Sequence, residues 1–297
     1  MRDTIDINSN DNALFTTSQC NNRCLMCCQP PINKDDIEFY LKKNFALIDS
    51  APQTLPNIGI TGGEPTLLGD QLFTLLNHIK YRLPETEVHL LTNGRAFANI
   101  DYARKLNNCH ITKLLLGIPL HSDYCGEHDK ITGVHGSYNE TMQGLYNLAR
   151  FNIGIELRIV ITRQNYKRLP HIVNFIYRNL PFVEYISLMG LEYTGYTIKN
   201  NRDIWIEPHE YAEELETAVL GLAQWGMNVS IFNLPHCLLK HSIWNYARKS
   251  ISDWKNTYTD SCDLCFIKGE CCGLFATSKK YFEGIAPILS IHNNLQK

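Results

Sequence analysis

Residues 13–28 read ALFTTSQCNNRCLMCC, a short apolar run followed at once by three cysteines with the spacing CxxxCxxC. The run from Ala13 to Thr17 has the composition of a β-strand, which places Cys20, Cys24 and Cys27 on the loop after it. Thiolates at this spacing suit an iron–sulfur cluster or zinc. A structural zinc needs a fourth nearby ligand, and the adjacent Cys28 is poorly placed to share a metal with Cys27. On a four-iron cluster, three ligands leave one iron open, as catalysis requires.

Downstream of this loop, β-strand patterns alternate with helical patterns. The predicted strands cover residues 13–17, 57–61, 88–92, 113–120, 156–161, 185–189 and 228–232. The predicted helices cover residues 35–50, 70–81, 137–150, 166–180, 207–225 and a stretch around 243–250. Ser137 with Glu140 three residues later is typical of a capping box, so we expect Ser137 to be an N-cap.

This alternation predicts an α/β fold in which helical crossovers connect parallel strands. A closed or nearly closed barrel fits the apolar strands best, and a doubly wound open sheet is the structural alternative. In both architectures the chemistry lies at the carboxyl ends of the strands. We predict one domain over residues 12–205 and a cysteine-rich C-terminal region over 206–297.

Several polar residues follow the predicted strands. Gly62-Gly63-Glu64-Pro65 ends the second one, where glycines permit a close approach to a ligand and a carboxylate complements an ammonium group. Asn93, His121 and Arg158 are further candidates. The alternative for Asn93 is a plain turn, and the alternative for Arg158 is a solvated strand end. Glu156 shares a side of its strand with Arg158. We interpret His128 and Asp129 as a loop pair that holds its segment shut.

A second group of cysteines lies near the C-terminus. Cys262 and Cys265 form a CxxC, Cys271 and Cys272 follow, and Cys237 comes after the last predicted strand. Cys237, Cys262, Cys265 and Cys271 would fully ligate a second 4Fe-4S cluster, or equally a structural zinc ion. Cys272 is a rival of Cys271, and the spacing does not decide between them.

Composition narrows the function classes. The chain has 297 residues, 44% hydrophobic residues, 20% charged residues and a formal net charge of −2, so no global basic field points to nucleic acid. The N-terminus lacks a signal-peptide pattern, and no apolar run would span a bilayer. We therefore expect a cytoplasmic protein, in which eleven cysteines indicate metal binding or catalysis. P-loop, HExxH and dinucleotide-binding motifs are absent from the sequence.

The CxxxCxxC loop and the GGEP segment resemble the radical S-adenosylmethionine (SAM) superfamily over residues 12–192. The resemblance implies a partial (β/α)6 TIM-like barrel and a catalytic 4Fe-4S cluster on Cys20, Cys24 and Cys27. It also implies reductive cleavage of SAM to a 5′-deoxyadenosyl radical, which abstracts a hydrogen atom from the substrate. Family positions near SAM correspond to these residues: Gly62, Gly63, Glu64, Asn93 and His121. A charged pair that points into a barrel is costly unless it binds something, so we also expect Glu156 or Arg158 to reach the SAM carboxylate or ribose. Met26 stands where the family usually has an aromatic residue beside the adenine, and its thioether can still pack on a ring.

Over nearly the whole chain the sequence resembles the smaller, C-type radical SAM maturase of the His-Xaa-Ser system. The resemblance is carried by CNNRCLMCCQPP, HDKITGVHGSYNETMQGL, and KSISDWKN followed by CDLCFIKGECCGLF. It implies a ribosomally made peptide as substrate, with a second radical SAM protein or a substrate-capture protein as partner. Flavodoxin or ferredoxin would be the reductant, and neither nucleic acid nor a membrane is expected as a partner.

Two alternatives remain open. One is a radical SAM enzyme that acts on a small molecule or a nucleoside. The chain lacks a clear arginine-rich tail for a triphosphate, which counts against that reading. The other is a non-catalytic iron–sulfur or zinc binding protein, which the intact cysteine motif followed by GGEP disfavours.

Overall fold

The computed structural model describes residues 4–250, 255–278 and 281–289. Its strands are β1 (Ala13–Phe15), β2 (Asn57–Thr61), β3 (Glu87–Leu91), β4 (Leu114–Pro119), β5 (Gly154–Val160), β6 (Tyr185–Met189) and β7 (Val229–Phe232). Its α-helices are α1 (Ile37–Ser50), α2 (Asp70–Arg82), α3 (Ile100–Asn108), α4 (Cys125–Thr132), α5 (Ser137–Ala149), α6 (Leu169–Asn179), α7 (Tyr196–Ile204) and α8 (Ala212–Gln224). Within these residues, no helix has both the length and the apolar character needed to cross a bilayer.

The strands form one sheet in chain order, from β1 to β7. The strand pairs β1–β2, β2–β3, β3–β4 and β6–β7 are parallel. A doubly wound sheet reverses its strand order at a switch point. Here the order never reverses, so the doubly wound alternative is wrong. The predicted α/β class with a partial, TIM-like parallel sheet is confirmed, and the sheet is not closed. The strand predicted at residues 228–232 is its seventh strand, β7.

The chain divides into two compact units. The first contains Met1–Cys24, Gln29–Leu120 and His128–Leu157, and the second contains Leu25–Cys28, His121–Glu127 and Arg158–Lys297. The predicted boundary between residues 205 and 206 stays a prediction.

Alternating burial builds the core of the first unit. In β2, Ile58 and Ile60 are fully buried, whereas the neighbouring residues on the other face are partly exposed. In β3, Val88 and Leu90 repeat this pattern. Helix α2 turns an apolar side with Leu72 and Leu76 away from water. The buried faces of the two strands are removed from water as well. Because side chains alternate across a strand, the other face of the sheet is left to polar residues.

One polar pair lies on that second face. His89 of β3 and Glu156 of β5 stand 2.9 Å apart, measured from His89 Nε2 to Glu156 Oε2. Glu156 is only 7% exposed. The sequence paired Glu156 with Arg158 as a charged face of one strand, whereas the structure gives Glu156 a partner on β3.

The expected capping box at the start of α5 is wrong. The N-cap is Gly136, and Ser137 is the first helical residue. The role of the cap passes to Asp129, whose carboxylate accepts the Gly136 N–H at 2.6 Å, the Tyr138 N–H at 2.8 Å and the Ser137 hydroxyl at 2.9 Å. Burial raises the pKa of Asp129, but these hydrogen bonds outweigh it and hold the pKa below its usual range. Glu140, the expected partner of Ser137, instead accepts from Arg95 Nε at 2.6 Å.

Other differences concern helices. His128 and Asp129 lie in α4 rather than in a loop, although Asp129 does hold the following turn. The expected helix around residues 243–250 is wrong, because the structure has a 3-10 helix at His241–Tyr246. Helices α3, α4 and α7 are absent from the sequence prediction. Residues 251–254 of the KSISDWKN segment lie outside the described residues.

Candidate functional site

The loop that follows β1 carries Cys20, Cys24 and Cys27. All eleven cysteines of the chain lie in the described residues, and none of them forms a disulfide. The three side chains of the motif are partly exposed. Cys20 and Cys24 belong to the first unit and Cys27 to the second.

Gly63 and Glu64, which follow β2, hold the start of this loop through their backbone N–H groups. The Gly63 N–H donates to Thr17 O at 2.6 Å, and the Glu64 N–H donates to Gln19 O at 2.8 Å. A Cβ atom added to Gly63 would lie 1.9 Å from Gln19 O. Glycine is therefore needed at residue 63 because two backbone segments meet there.

Replacing Gly63 with alanine should destabilise the protein by roughly 3 kcal/mol, because a backbone oxygen cannot rotate away from the new methyl group. Gly59→Ala is the matched control, since a Cβ there would meet its nearest atom, Asn12 O, at 3.5 Å, an ordinary contact. We expect the control to stay within about 1 kcal/mol of the parent. Urea unfolding measures both variants, and equal stability of G63A and G59A would contradict the described loop geometry.

Glu64 braces the carboxyl ends of β2 and β3. It is 1% exposed. Its Oε1 accepts from the Thr66 N–H at 3.0 Å, the Thr66 hydroxyl at 2.7 Å and the Thr92 hydroxyl at 2.6 Å. Its Oε2 accepts from the Asn93 N–H at 2.7 Å. The carboxylate thus fixes the ends of two neighbouring strands beside the cysteine loop.

Cys20 lies next to this brace. The Asn22 N–H donates to Cys20 Sγ at 3.3 Å. Burial raises the pKa of the Cys20 thiol and the Glu64 carboxylate adds to the rise, while Asn22, Arg95 and Asn93 oppose it. Cys20 is therefore a protonated thiol at neutral pH, and binding a metal there would release a proton.

Arg95, which the sequence analysis missed, secures the same loop. Its Nη1 donates to Asn21 O at 2.8 Å and to Asn22 Oδ1 at 2.7 Å. Asn93 Nδ2 donates to Asn21 Oδ1 at 2.6 Å. The only signal in the sequence is its position, two residues after Asn93 at the end of β3.

In the second unit, the N-terminus of α7 holds the last part of the motif. The Tyr196 N–H donates to Cys27 O at 2.9 Å, and Asn200 Nδ2 donates to Leu25 O at 2.8 Å. Gly195 has a φ of +54°, and a Cβ atom on it would lie 2.2 Å from Cys27 O. Met26, the residue expected beside an adenine, is 8% exposed.

Charged residues of the second unit surround Cys28. Desolvation raises the pKa of the Cys28 thiol, and the Glu192 carboxylate raises it further, while Lys255 and Arg158 oppose the rise. Burial also raises the pKa of Glu192, again opposed by Lys255 and Arg158. Arg158 Nη2 lies 3.5 Å from Met189 Sδ. The structure thus brings Arg158 together with two charged residues that the sequence analysis did not select.

His121 is 3% exposed and is fixed through its backbone. The side chain of Asn165 donates from Nδ2 to His121 O at 2.9 Å and to Val160 O at 3.0 Å. Asn165 Oδ1 accepts the Thr162 N–H at 2.8 Å. Asn165 therefore joins His121 to the end of β5 as a structural residue.

Four C-terminal cysteines line one cavity. Its cavity volume is about 20 Å³, and the wider space between its wall atoms opens to solvent. Cys237, Cys262, Cys265 and Cys271 lie in its wall together with His236. We call these four residues the cysteine cage. Cys272 is not in the wall, and its Sγ donates to Gly273 O at 3.2 Å.

Three of the four sulfur atoms of the cage lie near hydrogen-bond donors. The Gly273 N–H donates to Cys271 Sγ at 3.4 Å, the Ile288 N–H donates to Cys265 Sγ at 3.4 Å, and the Thr259 hydroxyl lies 3.2 Å from Cys262 Sγ. Burial raises the pKa of Cys237 to about 11. The nearby Cys271 and Cys262 add to that rise, so the thiols are close enough to interact.

The donor sets fit iron–sulfur ligation. Cysteine thiolates are the usual ligands of such clusters, and N–H groups that point at sulfur stabilise the thiolate form. Across residues 4–250, 255–278 and 281–289, no three His, Cys, Asp or Glu side chains are arranged to hold a single metal ion.

Comparisons with known proteins agree with this donor chemistry. The sequence model of a family described as the Radical SAM superfamily matches residues 14–176, more than half of the chain. Fe-coproporphyrin III synthase of Methanosarcina barkeri is 28% identical over 215 residues, which are 67% of this chain and 48% of that protein. The chain thus spans about half the length of this curated relative.

Two solved structures share the fold. SuiB of Streptococcus suis, bound to precursor peptide SuiA, has a TM-score of 0.57 and 16% identity, covering 76% of this chain and 50% of SuiB. Native anSMEcpe with bound AdoMet and Cp18Cys peptide has a TM-score of 0.62 and 15% identity, covering 94% of this chain and 91% of that chain. At such identities the likeness shows the fold alone.

Proposed function

Because the chain belongs to the radical SAM superfamily, we propose that it cleaves SAM reductively and uses the resulting radical to modify a ribosomally made peptide. The superfamily's 4Fe-4S cluster would be held by Cys20, Cys24 and Cys27. When bound, the cluster supplies the electron that splits SAM and so generates the species that removes a hydrogen atom from the substrate. The observation that carries this proposal is the position of Cys20 beside Glu64 and Asn93 in the first unit.

The protein's own residues would prepare this site. Glu64 is almost fully buried and braces the ends of β2 and β3. Its side chain therefore holds the cysteine loop in place. In the described residues, the carbonyl groups of Gly62 and Gly63 accept no hydrogen bond. We assign to these two carbonyls the contact with the SAM ammonium group, next to the carboxylate of Glu64, which favours a cation there.

Other SAM contacts follow from residues at the ends of the strands. Asn93 would orient SAM from the end of β3, and Met26 would pack against the adenine. Arg158, placed among charged residues, would pair with the SAM carboxylate. His121, held by Asn165, would lie near the ribose.

The cysteine cage is proposed to hold a second 4Fe-4S cluster rather than zinc. The cage supplies four thiolates around one cavity, and hydrogen-bond donors lie near its sulfur atoms. A cluster fully ligated by Cys237, Cys262, Cys265 and Cys271 is suited to electron transfer. It would also stabilise the C-terminal region, which has little regular secondary structure. The position of Cys272 outside the wall favours Cys271 as the ligand.

The peptide substrate is proposed on two grounds. The sequence resembles the radical SAM maturase of the His-Xaa-Ser system, and two proteins of the same fold are known with peptides bound. A second radical SAM protein or a substrate-capture protein would deliver the peptide, and flavodoxin or ferredoxin would supply electrons. The proposal places the protein in the cytoplasm.

A small-molecule substrate is the second candidate function. It is favoured by the 28% identity to Fe-coproporphyrin III synthase, whose name points to an iron tetrapyrrole. Deuterium transfer separates the two candidates. We predict that a synthetic peptide of His-Xaa-Ser repeats, deuterated at carbon, will pass deuterium to 5′-deoxyadenosine, as mass spectrometry would detect.

A deuterated iron tetrapyrrole is the parallel probe. Deuterium transfer from the tetrapyrrole and none from the peptide would replace the peptide proposal with the small-molecule one. Reactions without dithionite are the control, since SAM cleavage needs an electron.

A further inference from the structure

Arg95 is a largely buried cation beside the three-cysteine loop, which is the loop that carries Cys20, Cys24 and Cys27. Its side chain is 13% exposed, and its Nε donates to Glu140 Oε2 at 2.6 Å. Because Glu140 is half exposed, water screens this ion pair. A guanidinium group is rarely buried unless its N–H donors have partners. The Nη1 group of Arg95 finds its partners in the loop, which indicates a task beyond the ion pair.

The backbone of Arg95 is fixed, so its side chain reaches the loop from a defined point. Arg95 begins a short 3-10 helix, Arg95–Ala98, and its N–H donates to Asn93 Oδ1 at 3.0 Å. Gly94, the N-cap of this helix, has a φ of +78°. A Cβ atom added to Gly144 of α5 would lie 2.3 Å from Gly94 O, so α5 packs directly against this turn. The guanidinium group is therefore carried by a closely packed part of the first unit.

Arg95 binds the peptide group that faces Cys20. Its Nη1 donates to Asn21 O at 2.8 Å, and the N–H of the next residue, Asn22, donates to Cys20 Sγ at 3.3 Å. The carbonyl of Asn21 and the N–H of Asn22 belong to one planar, trans peptide unit, in which they point in opposite directions. Holding the oxygen atom therefore aims the N–H at the sulfur atom.

Two further hydrogen bonds keep this peptide unit from turning. Arg95 Nη1 also donates to Asn22 Oδ1 at 2.7 Å, and Asn93 Nδ2 donates to Asn21 Oδ1 at 2.6 Å. A cationic donor on the carbonyl oxygen polarises the peptide unit, which makes its N–H a stronger donor. Arg95 thus both orients and strengthens the hydrogen bond to Cys20.

We propose that Arg95 is a positioning residue that holds the Asn22 N–H on Cys20 Sγ and so makes the first cluster easier to reduce. This inference rests on the proposed 4Fe-4S cluster of the three-cysteine loop, the first cluster. Reduction adds negative charge, part of which resides on the ligand sulfur atoms. A hydrogen bond to such a sulfur atom stabilises the reduced form more than the oxidised form, and hydrogen bonds to sulfur are among the determinants of cluster potential.

The test is an EPR-monitored redox titration of the reconstituted full-length protein with both cysteine groups intact. The signal of the first cluster is the one that the variant Cys24→Ala lacks. Arg95→Met keeps most of the side-chain volume and removes the cation. We expect its reduction equilibrium to fall about tenfold, or about 59 mV for a one-electron couple. In protein made with isotope-labelled asparagine, pulsed EPR should also show a weaker coupling between the reduced cluster and an asparagine nitrogen.

Two further variants complete the design. Arg95→Gln also removes the cation and should show the same fall, which guards against a folding defect peculiar to methionine. Arg104→Met is the matched control, because Arg104 is an exposed arginine of α3 that pairs with Asp101 of the same helix. It should leave both the potential and the asparagine coupling unchanged.

The outcomes separate this inference from the proposed function. An unchanged potential in Arg95→Met, with about eight irons still bound, would overturn this inference alone. A lower potential with an unchanged asparagine coupling would also contradict it, because Arg95 would then act through its charge and not through the peptide unit. Loss of the first cluster from both Arg95 variants would make Arg95 a residue needed for cluster binding, against a role in the potential. A parent protein without a signal that depends on Cys24 would overturn the proposed function and this inference with it.

Discussion

Replacing Cys24 with alanine will stop the formation of 5′-deoxyadenosine from SAM and dithionite, while the cysteine cage keeps its iron. The three-cysteine loop supplies all the protein ligands proposed for the first cluster, and two thiolates do not hold a four-iron cluster stably. Iron should fall from about eight to about four atoms per chain. Iron analysis and chromatography of the nucleoside product measure the two effects.

Cys125→Ala is the matched control, because Cys125 is an exposed cysteine of α4 outside both cysteine groups. It should keep the full iron content and the full SAM cleavage rate. If 5′-deoxyadenosine still forms in Cys24→Ala at the parent rate, the first cluster has been assigned to the wrong cysteines.

Replacing Cys265 with alanine will remove the second cluster and leave SAM cleavage in place. Cys265 lies in the cavity wall, and its sulfur accepts the Ile288 N–H, so its loss removes a ligand and a link to the tail. Iron should again fall from about eight to about four atoms per chain, now with 5′-deoxyadenosine still produced. Peptide modification should be lost if the second cluster carries electrons to or from the substrate.

Cys272→Ser controls for a change at a neighbouring cysteine. Cys272 lies outside the wall and donates to Gly273 O, and a serine hydroxyl can keep that bond. This variant should retain about eight irons. Loss of four irons in Cys272→Ser together with full iron in Cys271→Ser would reverse the choice between these two residues.

The sequence predicted the strands well because their signal is local. Strands β2 and β6 begin and end at the predicted residues, since branched apolar runs bounded by turn residues are typical of buried strands. Helix α7 was missed because its nine residues are mostly polar and it has no N-cap side chain. It is held instead through contacts with the cysteine loop, which no local pattern reveals.

Hydrogen bonds between residues far apart in the sequence account for the other differences between the sequence prediction and the structure. The cap of α5 comes from Asp129, seven to nine residues away from the groups it binds, so a search for a local capping box found Ser137 and Glu140 instead. The role of Glu64 as a brace depends on Thr92 and Asn93, which follow a different strand. Sequence motifs identified the candidate residues, whereas the structure shows which neighbouring groups they bind.

Radical cleavage of SAM by this chain is tested by measuring its metal content and its nucleoside product in one preparation. The wild-type protein is reconstituted anaerobically with iron and sulfide, its metals are counted, and SAM with dithionite is added. We predict about eight irons per chain and formation of 5′-deoxyadenosine. Zinc at both cysteine groups and no SAM cleavage would contradict the account and leave a zinc-binding protein in its place.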